Sequence, residues 1–285
     1  MNASSPEHSG EHTGFECHVL TLFPEFFTSP LEVSILGRAL NRDDVRVEVH
    51  NIRDHAEGRH KITDDNPYGG GAGMVMKPEP VVRCMEAVEQ DCVQRGGTKP
   101  HRVALTPAGA PFNQAAAERL SKLPSLTLVC GRYEGFDERV MDYIDEELSL
   151  GDFVLTGGEP AALTILDAVI RLRPGVLGNA MSSVDESFGE SGLLEYPQYT
   201  RPVSFRGAEV PPILRSGDHG RVAKWRRGQA LLRTVQRRPE LLEDFPWSPQ
   251  DRKLLQAAQQ EQQALNCHQE IDLGSNDERP VEEES

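Results

Sequence analysis

Two glycine-punctuated stretches decide the reading of this chain: Val129-Cys-Gly-Arg-Tyr-Glu-Gly-Phe-Asp-Glu-Arg-Val140 and Ser149-Leu-Gly-Asp-Phe-Val-Leu-Thr-Gly-Gly-Glu-Pro160. Each follows an apolar, strand-like run and leads into a segment of helical character. Glycine at a strand end lets backbone approach a ligand closely, because no Cβ intervenes. Two such turns at the carboxyl ends of neighbouring strands make a binding crevice in an α/β sheet. Neither stretch is a phosphate cradle, since the chain contains no G-x-G-x-x-G and no Gly-Lys-Ser/Thr.

Outward from these turns, strands and helices alternate. Cys17–Leu22, Val45–His50, His101–Leu105, Leu126–Cys130 and Leu148–Leu155 read as strands. Segments 31–40, 78–94, 112–123, 135–144 and 160–172 read as helices. This alternation over residues 17–172 predicts an α/β domain with a largely parallel sheet. A third turn, Thr106-Pro-Ala-Gly109, should converge with the first two on one ligand. Gly157-Gly158 precedes a helix N-terminus, whose free N–H groups favour an anion. The segment Pro67-Tyr-Gly-Gly-Gly-Ala-Gly-Met74 is either a flexible linker or a functional loop, with Asp64 and Tyr68 beside it.

The pattern breaks from Arg173 to Phe205, which reads as an interdomain linker, and from Val210 onward it is helical. The expected organisation is an acidic, disordered tail over 1–16, the α/β domain over 17–177, the linker over 178–205, a helical domain over 206–268 and a second acidic, disordered tail over 269–285.

The chain has 285 residues and a formal net charge of −15. Residues 1–17 and 270–285 account for nine of those charges, so the acidity says little about the folded body. From Leu214 to Pro239, eight basic residues face Asp218 alone, a local net of +7. That run is either a solvated helix face or a localised polyanion site. Five scattered cysteines without C-x-x-C fit a reducing cytoplasm and offer no zinc or disulfide framework. No span, signal peptide or H-E-x-x-H is legible, so the expectation is a cytoplasmic protein with no membrane partner and no resident metal.

Several residues remain ambiguous on pattern alone. Asp167 and Arg171, four apart on one helix, are either an exposed ion pair or a means of placing a charge at the helix end. Asp185 and Glu186 sit in the linker, where an acid can cap a turn or act on a substrate. Glu134, Asp152 and Glu159 lie inside the glycine turns, as ligand contacts or as caps.

Taken in order, Leu20-Thr-Leu-Phe-Pro24, Asp65-Asn-Pro-Tyr-Gly-Gly-Gly-Ala-Gly-Met74, the two opening stretches, Pro174-Gly-Val-Leu-Gly178 and Tyr199-Thr-Arg-Pro202 closely resemble the bacterial tRNA (guanine-N1)-methyltransferases, members of the SPOUT superfamily. The resemblance runs from about Cys17 to about Leu265. It implies a SPOUT-type α/β sheet domain with a C-terminal deep trefoil knot, then a linker and a small all-helical domain. The knot would be an exception to the rule that chains avoid threading.

The resemblance also implies methylation of N1 of guanine 37 in tRNA, with S-adenosylmethionine as the donor. The matching cofactor positions are Ala104, Leu105, Thr106, Pro107, Gly131, Glu134, Ser149, Leu150, Gly151, Asp152, Phe153, Val154, Leu155, Gly157 and Gly158. The family's cation maps onto Arg171. Its base falls on Glu186 by ungapped counting from Pro174, with Asp185 as the neighbouring candidate. Asp64, Tyr68, Tyr199, Arg201, Arg226 and Arg227 are the expected contacts to the anticodon stem-loop. A homodimer with active sites at the subunit interface is implied, and Mg²⁺ enters on resemblance alone.

Three other readings compete. They are a related enzyme acting on another base or a ribose hydroxyl, a non-catalytic RNA-binding protein that keeps the fold, and a nucleotide-binding oxidoreductase. The missing phosphate fingerprint counts against the last.

Overall fold

A computed structural model describes residues 14–177 and 186–274. Its contacts divide the chain into two compact units, residues 1–180 and 181–285.

The first unit is built on β1 (Phe15–Thr21), β2 (Val45–Asn51), β5 (His101–Pro111), β6 (Ser125–Cys130) and β7 (Glu146–Ser149). They form one sheet in the order β2-β1-β6-β5-β7, with every pairing parallel. Helices α1 (Thr28–Glu32), α2 (Ser34–Leu40), α3 (Pro78–Gln94), α4 (Gln114–Ser121) and α5 (Glu159–Ile170) connect the strands. A parallel sheet needs cover on both faces. On one face Cys17, Val19, Val45, Leu126 and Leu128 pack with Leu36 of α2 and with Ala162, Ile165 and Leu166 of α5. On the other, Leu20, Ile52 and Val129 pack under Val81, Met85 and Val88 of α3. A two-strand ladder, β3 (Asp64–Asp65) with β4 (Val75–Met76), closes the glycine loop 67–74.

Several expected elements differ. The helix expected over 31–40 is two short helices, because Val33 is extended (φ −115°, ψ 159°). The helix expected over 135–144 is a 3-10 turn at Glu138–Tyr143, entered after Gly135 at φ +108° and capped by Asp137 accepting from the Arg139 N–H. The strand expected over 148–155 ends at Ser149, where the Gly151 N–H donates to Ser149 Oγ and Gly151 takes φ +149°. The first strand begins at Phe15 rather than Cys17.

The second unit contains a short hairpin, β8 (Ser204–Phe205) with β9 (Ala208–Glu209), and two long helices, α6 (His219–Arg237) and α7 (Pro249–Gly274). It is therefore not wholly helical, and its last helix runs beyond the expected boundary at 268. Gly228 lets the helices approach, since a Cβ there would lie 2.9 Å from the Leu254 carbonyl oxygen. The described part of the expected linker is a packed element of this unit. Leu193 is buried with Ala230 and Leu231, the Leu194 N–H donates to Thr234 Oγ1 at 2.9 Å, and Arg233 donates to the Glu195 carbonyl.

Candidate active site

The carboxyl ends of β6, β5 and β7 lie side by side, as the sequence required for convergence. The turns leaving β6 and β7, with the irregular stretch 105–109 that lies inside β5 and is not the turn the sequence predicts, enclose a crevice of about 560 Å³, a volume suited to a small organic ligand. Its walls come from residues 105–108, 131–136, 147–151 and 153–158. The expected residues Leu105, Thr106, Pro107, Gly131, Glu134, Ser149, Leu150, Gly151, Phe153, Val154, Leu155, Gly157 and Gly158 all line it. Ala104 lies one residue deeper, fully buried within β5, and Asp152 is exposed outside the lining.

Close backbone packing explains the glycines. A Cβ on Gly158 would sit 2.8 Å from Cys130 Cα and 3.0 Å from the Gly131 nitrogen, and the Gly158 N–H donates to the Gly131 carbonyl. Gly109 would meet the Leu148 backbone, which explains why β5 and β7 shift register between Leu105 and Ala110 without losing contact.

The sequence reading missed the side-chain staple that holds two of these turns together. Glu159, in the first turn of α5, is completely buried. Its Oε1 accepts from Thr21 Oγ1 at 2.6 Å and from Arg132 Nε at 3.1 Å, while Arg132 Nη2 lies 2.9 Å from Oε2. Arg132 also donates to the Thr156 carbonyl at 3.0 Å, and its guanidinium lies 4.4 Å from the centre of the Phe23 ring. One cation thus joins the turn after β6, the turn before α5 and the Leu-Phe-Pro segment after β1. Both residues were visible inside the quoted motifs, but residues 27 apart carry no mark of pairing. Cys130 is fully buried next to the staple, and burial, with Glu159 nearby, pushes its thiol well above the ordinary range.

The glycine loop is fastened to the same turn and is not a loose linker. The Glu134 N–H donates to the Met74 carbonyl, the Met76 N–H to the Gly135 carbonyl and the Asp137 N–H to the Met76 carbonyl. Gly69, Gly70, Gly71 and Gly73 all have positive φ, a backbone that other residues adopt only under strain. Tyr68 projects fully into solvent from this loop, and Asp64 pairs with Met76 at its base.

Arg171 caps the carboxyl end of α5, half-buried, with its backbone N–H donating to the Asp167 carbonyl. Glu186 is half-buried in the second unit and lines a cavity there with Tyr196, His219 and Arg226. Asp185 lies outside the described residues.

In the second unit, Tyr199, Arg201 and Arg226 do come together, around a groove of about 340 Å³ shared with Tyr196 and Arg215. The Arg226 guanidinium lies 4.7 Å from the centre of the Tyr196 ring. Its buried Nε has no hydrogen-bond partner among the described residues. Arg227 stands apart from this group. Its Nε donates to Asp251 Oδ1 at 2.9 Å, and that bond holds the Asp251 carboxyl below its usual range. Arg233 and Arg238 are likewise engaged, with the Glu195 carbonyl and with Glu240. The basic run is therefore partly a structural face and partly an open one.

Fold and site define an α/β unit with an all-parallel sheet and a crevice of ligand size, carried in one chain with a mainly helical second unit that contains a basic run. The chain belongs to the tRNA (Guanine-1)-methyltransferase TrmD family, whose profile matches residues 15–244. It is similar to the tRNA (guanine-N(1)-)-methyltransferase of Syntrophotalea carbinolica, with 56% identity over 245 residues, 85% of this chain and 96% of the relative. The Myxococcus xanthus protein of the same name is 54% identical over 248 residues, 87% of this chain and 98% of its own length. No helix among the described residues is long and apolar enough to cross a membrane.

Proposed function

We propose that this chain transfers the methyl group of S-adenosylmethionine to N1 of guanine 37 in tRNA, acting as a cytoplasmic homodimer. The observation that carries the reading is the crevice formed by two glycine turns and the irregular end of β5 and clamped by Arg132 and Glu159, in a chain of this family.

The crevice fits the donor. Leu105, Phe136, Leu148 and Leu150 offer apolar walls, and the tight turns bring backbone polar groups to the surface that an adenine edge or an amino-acid end would meet. S-adenosylmethionine, when bound, supplies an electrophilic methyl on a sulfonium. The turns at 131–135, 149–151 and 154–158 would hold it. In this account they are the loops of the trefoil knot.

Guanine N1 carries a proton and is a poor nucleophile until a base removes it, after which charge gathers on O6. Glu186 takes that proton in our assignment, with Asp185 as the alternative, and Arg171 stabilises O6. Tyr68, Asp64 and the glycine loop attend the target base, while Tyr199, Arg201 and Arg226 meet the anticodon stem-loop. The exposed side chains of Tyr133, Phe153, Val154 and Leu155 at the crevice supply apolar surface that a second copy would cover. No step is assigned to Mg²⁺: among the described residues, the groupings of three or more His, Cys or carboxylate side chains suited to a cation lie on β1, β2 and α3, and none of their members lines the crevice.

Single-turnover methyl transfer tests the assignment. Glu186→Gln and Arg171→Ala should each slow it by about 10²–10⁴-fold with donor affinity little changed. A Glu186→Gln variant at full rate moves the base to Asp185.

A further inference from the structure

On the face of β1 and β2 covered by α3, a group of ligating side chains plays no part in this chemistry. Glu16 and His18 of β1 and Glu48 and His50 of β2 share the face covered by α3, with His18 directly opposite Glu48 in the register. Cys92 and Arg95, at the carboxyl end of α3, approach the same place.

Three donor atoms converge there. His18 Nδ1 is 3.0 Å from His50 Nε2 and 3.3 Å from Glu48 Oε2, and His50 Nε2 is 3.9 Å from Glu48 Oε2. Ligands about 2.0–2.1 Å from a tetrahedral zinc ion stand about 3.3–3.4 Å apart, so this triangle needs only small rotations to take one. Two imidazoles with one carboxylate suit a divalent first-row metal, with water in the open position.

We infer that His18, His50 and Glu48 form a binding site for a divalent transition metal, Zn²⁺ being the natural occupant for this donor set. His18 is held as metal-bound histidines usually are. Its other ring nitrogen, Nε2, lies 3.2 Å from Cys92 Sγ, with Glu16 Oε2 at 3.6 Å, so a second shell fixes the ring. His18 itself is buried, but His50 and Glu48 are about a quarter exposed and belong to the edge strand, which gives an ion a way in. Arg95 lies 3.4 Å from Glu16 and 3.7 Å from Glu48, and Arg46 pairs with the other oxygen of Glu48. The Arg95 contact falls on Glu48 Oε2 itself, so that long ion pair would have to be given up for Oε2 to ligate a metal, while Arg46 stays on Oε1. A bound metal would tie the edge strand β2 to β1, among residues that do not line the crevice, and stabilise the fold rather than the reaction.

The test is titration of the full, metal-stripped chain with Co²⁺ and then Zn²⁺. The site predicts one Co²⁺ per chain with a tetrahedral visible spectrum, displaced by Zn²⁺, and a melting temperature that rises with Zn²⁺ concentration. His50→Gln and Glu48→Gln, checked for folding by circular dichroism, should each weaken binding at least ~10-fold, and Cys92→Ser should weaken it without changing stoichiometry. Absence of the spectrum, or binding unchanged in whichever of the His50→Gln and Glu48→Gln variants folds, would overturn the site.

Discussion

Arg132, which lines the crevice, and Glu159 join the two glycine turns, with the carboxylate fully buried and the guanidinium reaching Thr156 and Phe23 as well. The geometry of the crevice thus depends on one ion pair that is not itself expected to react.

The first prediction concerns that pair. Arg132→Ala leaves a buried carboxylate with only Thr21 as a donor, which should cost about 3–5 kcal/mol of stability. Arg132→Met combined with Glu159→Gln removes both charges and should recover much of the loss. Thermal denaturation of the two variants decides. Equal destabilisation by both would show that the pair is not the staple described.

The second separates two kinds of glycine. Gly158→Ala drives a methyl into the Cys130 and Gly131 backbone, so the two turns must part and S-adenosylmethionine affinity should fall at least ~10-fold. Gly135→Ala has open space around the new methyl but requires φ of +108°, and should cost about 1–3 kcal/mol of stability instead. Calorimetric titration and melting curves distinguish them.

The third divides the basic run. Arg226, stacked on Tyr196 at the groove, should contribute to tRNA affinity, and Arg226→Ala should lower both that affinity and its salt slope, the slope by about 1. Arg227→Ala should leave the slope unchanged and destabilise the second unit. Filter binding across a salt series provides the readout.

The fourth follows from Asp251, whose carboxyl is held low by the hydrogen bond from Arg227, opposed by burial and assisted by Ser248. A depressed carboxyl stabilises the fold above its unfolded pKa of about 3.9 and loses that contribution as pH falls through the lower, folded value. The second unit should therefore lose stability below about pH 4, and Arg227→Ala should flatten that part of the profile. Denaturation curves between about pH 2 and 6 check it.

Strand identity and the convergence of the turns were legible because parallel buried strands are short apolar runs and their ends are marked by glycine. Val45–Asn51 alternates with period two and is a strand at the expected place. What the pattern hid depends on contacts distant in sequence. Arg132 finds Glu159, and Leu193 finds α6, through packing that no local periodicity records. Val33 interrupts an otherwise helical stretch with a single extended residue. The grouping of His18, His50 and Glu48 escaped notice because its members come from two strands and show no metal-ligand spacing.

The most direct measurement is incubation of the chain with unmodified tRNA transcript and labelled S-adenosylmethionine, followed by mapping of the methylated nucleoside. The account predicts a single methyl on N1 of guanine 37. Label on a ribose hydroxyl or on another base, or no transfer by a chain that binds both substrates, would contradict it.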